Sequence, residues 1–194
     1  MHTPPTWPPS LSGNYLRRTL PWIAEKLDAY MSPVSKTSAV TLREITKDSV
    51  RTVSLLDVGP GQEGLVAPNA FSIAQAYFQP EAWFRGIYAD DVPVGFVMLE
   101  DWSQATGREA ELYEGAPYVG LWRFMIDHRF QKFGFGAQAM RLVIAHARTR
   151  PGANNLLLSF VPKENNPEGF YARFGFVRTG EVDEGEVVMR LALG

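Results

Sequence analysis

One stretch limits the folds open to this chain more than any other: Leu121-Trp122-Arg123-Phe124-Met125-Ile126-Asp127-His128-Arg129-Phe130-Gln131-Lys132-Phe133-Gly134-Phe135-Gly136-Ala137, continued by a helical pattern to about Arg150. An apolar strand runs into a short basic loop with two glycines, and that loop opens an amphipathic helix. The first turn of a helix carries N–H groups without an intrahelical partner, and the macrodipole adds partial positive charge there. Anions dock at such ends. Gly134 and Gly136 remove the Cβ atoms that would hold a phosphate away from those amides, and they permit the turn that points several of them inward. Arg129 and Lys132 add charge. The stretch reads as a phosphate cradle.

The pattern on either side extends this unit. Tyr118 to Ile126 reads as a central strand, and Gly136, Ala139, Met140, Val143, Ile144 and Ala147 follow the i, i+3, i+4, i+7 spacing of a buried helical stripe. Pro151-Gly152 ends that helix. Leu156 to Val161 is a continuous apolar run of the kind expected for a strand buried on both faces, so residues 118 to 161 form strand, helix, strand with an expected right-handed crossover. Downstream, a short helix from about Pro167 to Phe174 precedes a hairpin of Phe176 to Gly180 and Val187 to Leu193. Upstream, Ala39 to Ile45 alternates as a first strand. Asp48 is the expected N-cap of a helix through Leu55, Leu56 and Val58, and Asn69 that of a second helix ending near Pro80. Trp83 to Ala89 and Val94 to Leu99 form a hairpin around Asp90-Asp91-Val92-Pro93, and the polar run from Asp101 to Gly115 is a loop.

Residues 1 to 37 divide off as an N-terminal extension from a domain spanning 38 to 194. The start is proline-rich, and from Asn14 to Met31 the apolar residues Leu16, Leu20, Ile23, Leu27 and Tyr30 recur at helical spacing. This helix either packs on the domain or forms a homodimer contact.

Charge and composition exclude several classes. With a net charge of −2 and scattered basic residues, the chain has no broad electrostatic footprint for nucleic acid. No run approaches the roughly 18 apolar residues of a membrane span, so no membrane partner is expected and a cytoplasmic location is the default. Zero cysteines exclude disulfides and thiol catalysis, and three dispersed histidines predict no metal site. Gly134-Phe135-Gly136-Ala137-Gln138-Ala139 also spells a dinucleotide-binding fingerprint, but there the first glycine follows its strand almost at once. Here Asp127 to Phe133 intervene.

Gln131-Lys132-Phe133-Gly134-Phe135-Gly136 matches the Gln/Arg-x-x-Gly-x-Gly/Ala signature of the GNAT superfamily of N-acetyltransferases. Phe170-Tyr171-Ala172-Arg173-Phe174-Gly175-Phe176 resembles that family's later element of helix, tyrosine, Gly-Phe and strand. Tyr88-Ala89-Asp90-Asp91 with Val94-Gly95-Phe96-Val97, Leu121 to Ile126, and Thr179-Gly180-Glu181 look like its bacterial diamine and spermine or spermidine acetyltransferase branch. The resemblance covers about residues 39 to 193. It implies an α/β fold, a mixed and mostly antiparallel sheet of about seven strands flanked by helices. It also implies acetyl-CoA as cofactor and transfer of the acetyl group to a primary amine of a small molecule, a diamine or polyamine, by direct attack in a ternary complex. A non-catalytic acyl-CoA-binding or sensing module of the same fold is the alternative.

Residue by residue, the resemblance assigns cofactor contacts to Phe124, Met125 and Ile126 along the pantetheine arm. It gives Gln131, Lys132, Phe133, Gly134, Phe135, Gly136 and Ala137 to the pyrophosphate. Tyr171 matches the family tyrosine that also touches the cofactor and protonates the departing thiolate. An asparagine usually precedes it, and Asn165 and Asn166 are both candidates. An amine of pKa about 10 must lose a proton before attack, a handicap of about 4 kcal/mol at pH 7, so a base is expected. The family's usual carboxylate position holds Trp122 and Arg123. Glu100, at the end of the preceding strand, is the nearest replacement, with Glu81 behind it. Glu100, Asp101, Asp183, Glu184 and Glu186 are expected around the mouth, where they would attract a cation.

Overall fold

A computed structural model describes residues 34–104 and 117–194. The expected helix over residues 14–31 and most of the polar loop before Tyr118 lie outside the described residues, as does the bulk of the proposed extension. Seven strands form one sheet: β1 (Val40–Arg43), β2 (Ala82–Ala89), β3 (Val92–Asp101), β4 (Tyr118–Ile126), β5 (Asn155–Phe160), β6 (Val177–Asp183) and β7 (Glu186–Ala192). Their order is β1-β2-β3-β4-β5-β7-β6, and among the described residues only β4 and β5 pair in parallel. The mixed, mostly antiparallel sheet is thus as expected.

Two helical layers cover it. Helix α3 (Phe135–Arg148) buries Phe135, Ala139, Met140, Val143, Ile144 and Ala147 on one face, against Val97, Leu99, Leu121 and Leu156 among others. Gly136, expected in that stripe, lies beside it. On the opposite face, Val53 of α1 (Val50–Ser54) and Leu56 pack on Phe96, Met98 and Met125, with Ile73 of α2 (Asn69–Ala76) against them. Burying a large apolar side chain stabilises by about 1.5–3 kcal/mol. Strands β3 and β4, sandwiched between both layers, form the rigid spine.

Three local expectations change. The residue preceding α1 is Ser49, not Asp48, and the helix ends at Ser54, leaving Leu55 exposed. Asn69 is the first residue of α2 rather than its cap, and it is buried. Its amide donates to the Val53 carbonyl at 2.9 Å and to Met125 Sδ at 3.7 Å, which fastens α2 to α1 and to β4. The first hairpin closes more tightly than expected, because Ala89 pairs with Val92 and only Asp90 and Asp91 remain in the turn. Asp90 takes a left-handed φ of 51° there, a conformation that aspartate tolerates better than most residues.

Two irregularities shape the centre. The register steps from Met98↔Arg123 to Leu99↔Leu121, so Trp122 is an extra residue in β4, a β-bulge. The β4–β5 pairing runs only from Tyr118↔Asn155 to Leu121↔Leu158. From Trp122 to Ile126, β4 pairs with β3 alone among the described residues.

Candidate active site

Where β4 and β5 part, a cleft of about 1660 Å³ opens. Residues 120–126 of β4, residues 157–160 of β5, the start of α3, and α4 (Glu168–Ala172) line it on the sheet side. Residues 54–58 and 62–69, around α1 and α2, form the other wall.

The cradle stands at one end. Asp127 is buried, and its carboxylate accepts from the Arg129 amide, from Arg129 Nε at 2.7 Å and from the Asp57 amide at 3.0 Å. Burial works to raise its pKa, but these donors overcome it and hold the carboxyl below the ordinary carboxylate value. A one-turn 3-10 segment, His128–Phe130, follows. Gln131 Nε2 then donates to the Ile126 carbonyl at 3.0 Å and to Gln62 Oε1 at 2.8 Å, binding the loop to both walls. Lys132 and Gly134 take φ values of 65° and 90°, which turn the chain into α3. The first bond of the α3 ladder is Gln138 N–H to the Gly134 carbonyl, so the amides from Gly134 to Ala137 have no intrahelical acceptor. A Cβ on Gly134 would meet nothing within 4 Å, and one on Gly136 would stand 3.5 Å from Ile126 and 3.7 Å from Phe170. The donors and the open space together suit a diphosphate.

Replacing Asp127 by alanine should cost about 2 kcal/mol, because the part-buried amides and the guanidinium it satisfies lose their acceptor. A depressed folded pKa gives stability that is present above the unfolded value of about 3.9 and lost as pH falls through the folded one. Urea unfolding of both proteins at pH 7 and again near pH 3 checks this: the gap should be smaller at the lower pH.

Of the residues assigned to the cofactor, Phe124, Met125, Ile126, Gln131, Lys132, Gly134, Phe135, Gly136, Ala137, Asn165 and Tyr171 line the cleft. Two do not. Phe133 packs against the core and stacks on Phe135 at 5.5 Å. Asn166 is used locally: its Oδ1 accepts from the Glu168 amide at 3.0 Å and its Nδ2 donates to the Lys163 carbonyl. Tyr171 is 7% exposed, held edge-on by Phe170 at 5.3 Å, which itself stacks on Phe124. Burial pushes the Tyr171 hydroxyl above its ordinary pKa, so it keeps its proton.

Glu100 also lines the cleft, beside Gly120, its register partner. A Cβ at position 120 would lie 2.6 Å from Glu100 Oε1, so a larger residue there would force this carboxylate to shift. Burial raises its pKa, while Trp102 and Arg123 oppose that rise and Asp183 and Glu81 add to it. Asp183, Glu184 and Glu186 line the same cleft. Asp101, expected beside them, does not: it pairs with Arg150 at 2.5 Å near the far end of α3, because the next residue along β3 faces the other way. Glu81 lines a smaller hollow of about 390 Å³ there.

Sequence reasoning missed Gly120, Asp127, Gln62 and the bulge at Trp122. Asp127 alone carried a signal, an acid two residues before a basic one at a strand end.

Against known proteins, the model of the acetyltransferase (GNAT) family matches residues 59–176. The spermine/spermidine N(1)-acetyltransferase of Bacillus subtilis (strain 168) is 27% identical over 158 residues, covering 78% of this chain and 97% of that protein. Among solved structures, an acetyltransferase from Thermus thermophilus superposes with a TM-score of 0.58 at 16% identity, covering 78% of this chain and 94% of that one. The PaiA N-acetyltransferase of Thermoplasma acidophilum, solved in complex with coenzyme A, gives 0.56 at 14% identity, covering 79% and 99%.

Proposed function

The chain belongs to the GNAT family of acetyltransferases, and from that premise we propose that it acetylates a primary amine of a small polycation, a diamine or polyamine, using acetyl-CoA. One observation carries the proposal. One cleft is lined both by the start of α3, with amides that have no intrahelical acceptor, and by Glu100, Asp183, Glu184 and Glu186. An anionic donor and a cationic acceptor would therefore both be drawn into the same cleft, each to the groups of opposite charge. The resemblance to a spermine/spermidine N(1)-acetyltransferase agrees with the acceptor class.

In this reading the amides of Gly134 to Ala137, with Lys132, hold the diphosphate. The edge of β4 at Phe124 to Ile126, which no strand among the described residues covers, offers its backbone to the pantetheine arm like one more strand. Bound acetyl-CoA supplies an activated thioester. Tyr171 holds its proton at Oη for the departing sulfur, and Glu100 accepts the proton of the acceptor ammonium. Much of the acceleration comes from holding amine and thioester together.

The test is release of free coenzyme A from acetyl-CoA over a panel of polyamines, aminoglycosides and amino acids. Spermidine or a diamine should lead; turnover confined to amino acids, or with no amine at all, overturns the proposal. Glu100→Gln should lower kcat/KM for the amine roughly a hundredfold. The base works ionised and its folded pKa is raised, so the wild-type acid limb should lie above the ordinary carboxylate range and vanish in the variant.

A further inference from the structure

The bulge at Trp122 does more than bend β4. Without it, side chains would alternate, and Arg123 would share a face with Leu121, under α3. The extra residue instead aligns Arg123 with Met98, on the α1–α2 face, where Glu100 also points. The guanidinium is fixed on three sides there. Nη1 donates to the Trp122 carbonyl at 2.8 Å, Nη2 reaches Gln75 Oε1 of α2 at 3.4 Å, and the group lies 5.0 Å from the Trp122 ring centroid. Its Nε is buried with no hydrogen-bond acceptor. With these donors committed or enclosed, Arg123 is not arranged to bind a substrate anion. Its role must lie in its charge and its neighbours.

We propose that Arg123 is a positioning residue, set on this face by the Trp122 bulge so that its charge keeps the Glu100 carboxylate ionised for the acceptor amine. This rests on the reading of Glu100 as the base. Around Glu100 stand Arg123 from β4, Asp183 from β6, Glu81 before β2 and the Trp102 indole, and Arg123 is the one cation among them. Glu186 of β7 competes for the same guanidinium. The two carboxylates therefore draw on Arg123 in opposition.

The experiment is the pH profile of kcat/KM with acetyl-CoA and spermidine. Arg123→Gln should move the acid limb to higher pH, on the order of one unit for the loss of one adjacent opposite charge; Arg123→Lys should leave it near the wild-type position. Glu186→Gln, which frees Arg123 for Glu100, should move the limb the other way and serves if Arg123→Gln does not fold. A uniform loss of rate with the limb unmoved in Arg123→Gln, or a limb moved upward in Glu186→Gln, overturns the inference. Glu100→Gln separates the levels: if that variant keeps the limb, the base assignment itself fails, whereas if it abolishes the limb and the Arg123 variants do not shift it, only the inference fails.

Discussion

Phenylalanine at position 171 should lower turnover roughly a hundredfold while leaving the affinity for coenzyme A almost unchanged. A positioned general acid contributes about 10²–10⁴ in rate, and each tenfold corresponds to about 1.4 kcal/mol of barrier. Tyr171→Phe removes one oxygen and keeps the ring, so the aromatic cluster of Phe124, Phe170 and Tyr171 that lines the cleft stays packed. Because burial keeps the hydroxyl protonated across the usual working range, the loss should be the same at pH 7 and pH 9. Steady-state rates and calorimetric titration with coenzyme A check the two halves separately. Unchanged kcat removes the assigned role, and a parallel loss of affinity recasts Tyr171 as a binding residue.

The second large effect concerns Gly136. Position 134 is a poor place to test the cradle, because its φ of 90° would strain any side chain and confuse folding with binding. Gly136 lies within α3, its added Cβ would make only ordinary contacts of 3.5–3.7 Å, and leucine favours helix more than glycine does by close to 1 kcal/mol. Gly136→Leu should therefore fold with an undiminished melting temperature. Its side chain would nevertheless occupy cleft space beside the amides at the start of α3. Affinity for coenzyme A should fall at least a hundredfold, about 2.7 kcal/mol. Full affinity in a folded variant would place the diphosphate elsewhere.

Much of this architecture could be read from the sequence for a simple reason. Strands β3, β4 and β5 are buried on both faces, so each is a near-continuous apolar run, and α3 carries one clean stripe. The cradle announced itself because its glycines and helix start are local. What stayed hidden is non-local. Nothing in Leu121-Trp122-Arg123 marks Trp122 as an inserted residue; the bulge exists only in the pairing with β3. Gly120 looks like any strand glycine until Glu100 is found lying across it. Asn165 takes a φ of 62° and lines the cleft while Asn166 bonds the Glu168 amide, a difference of backbone geometry that two adjacent asparagines do not show in sequence. The wall around residues 54–69 has no period to read, and it is held by single bonds such as Gln131 to Gln62.

One such bond ties the helical wall of the cleft to the sheet. The buried amide of Asn69 joins the two helices over the cleft directly to each other and to the strand beneath. Breaking it would strand a polar group in an apolar interior, a cost of about 1–3 kcal/mol. Under the proposed function, an amine would meet a wall already tied to the sheet through Asn69, and selection would then fall to length and charge rather than to reshaping of that wall.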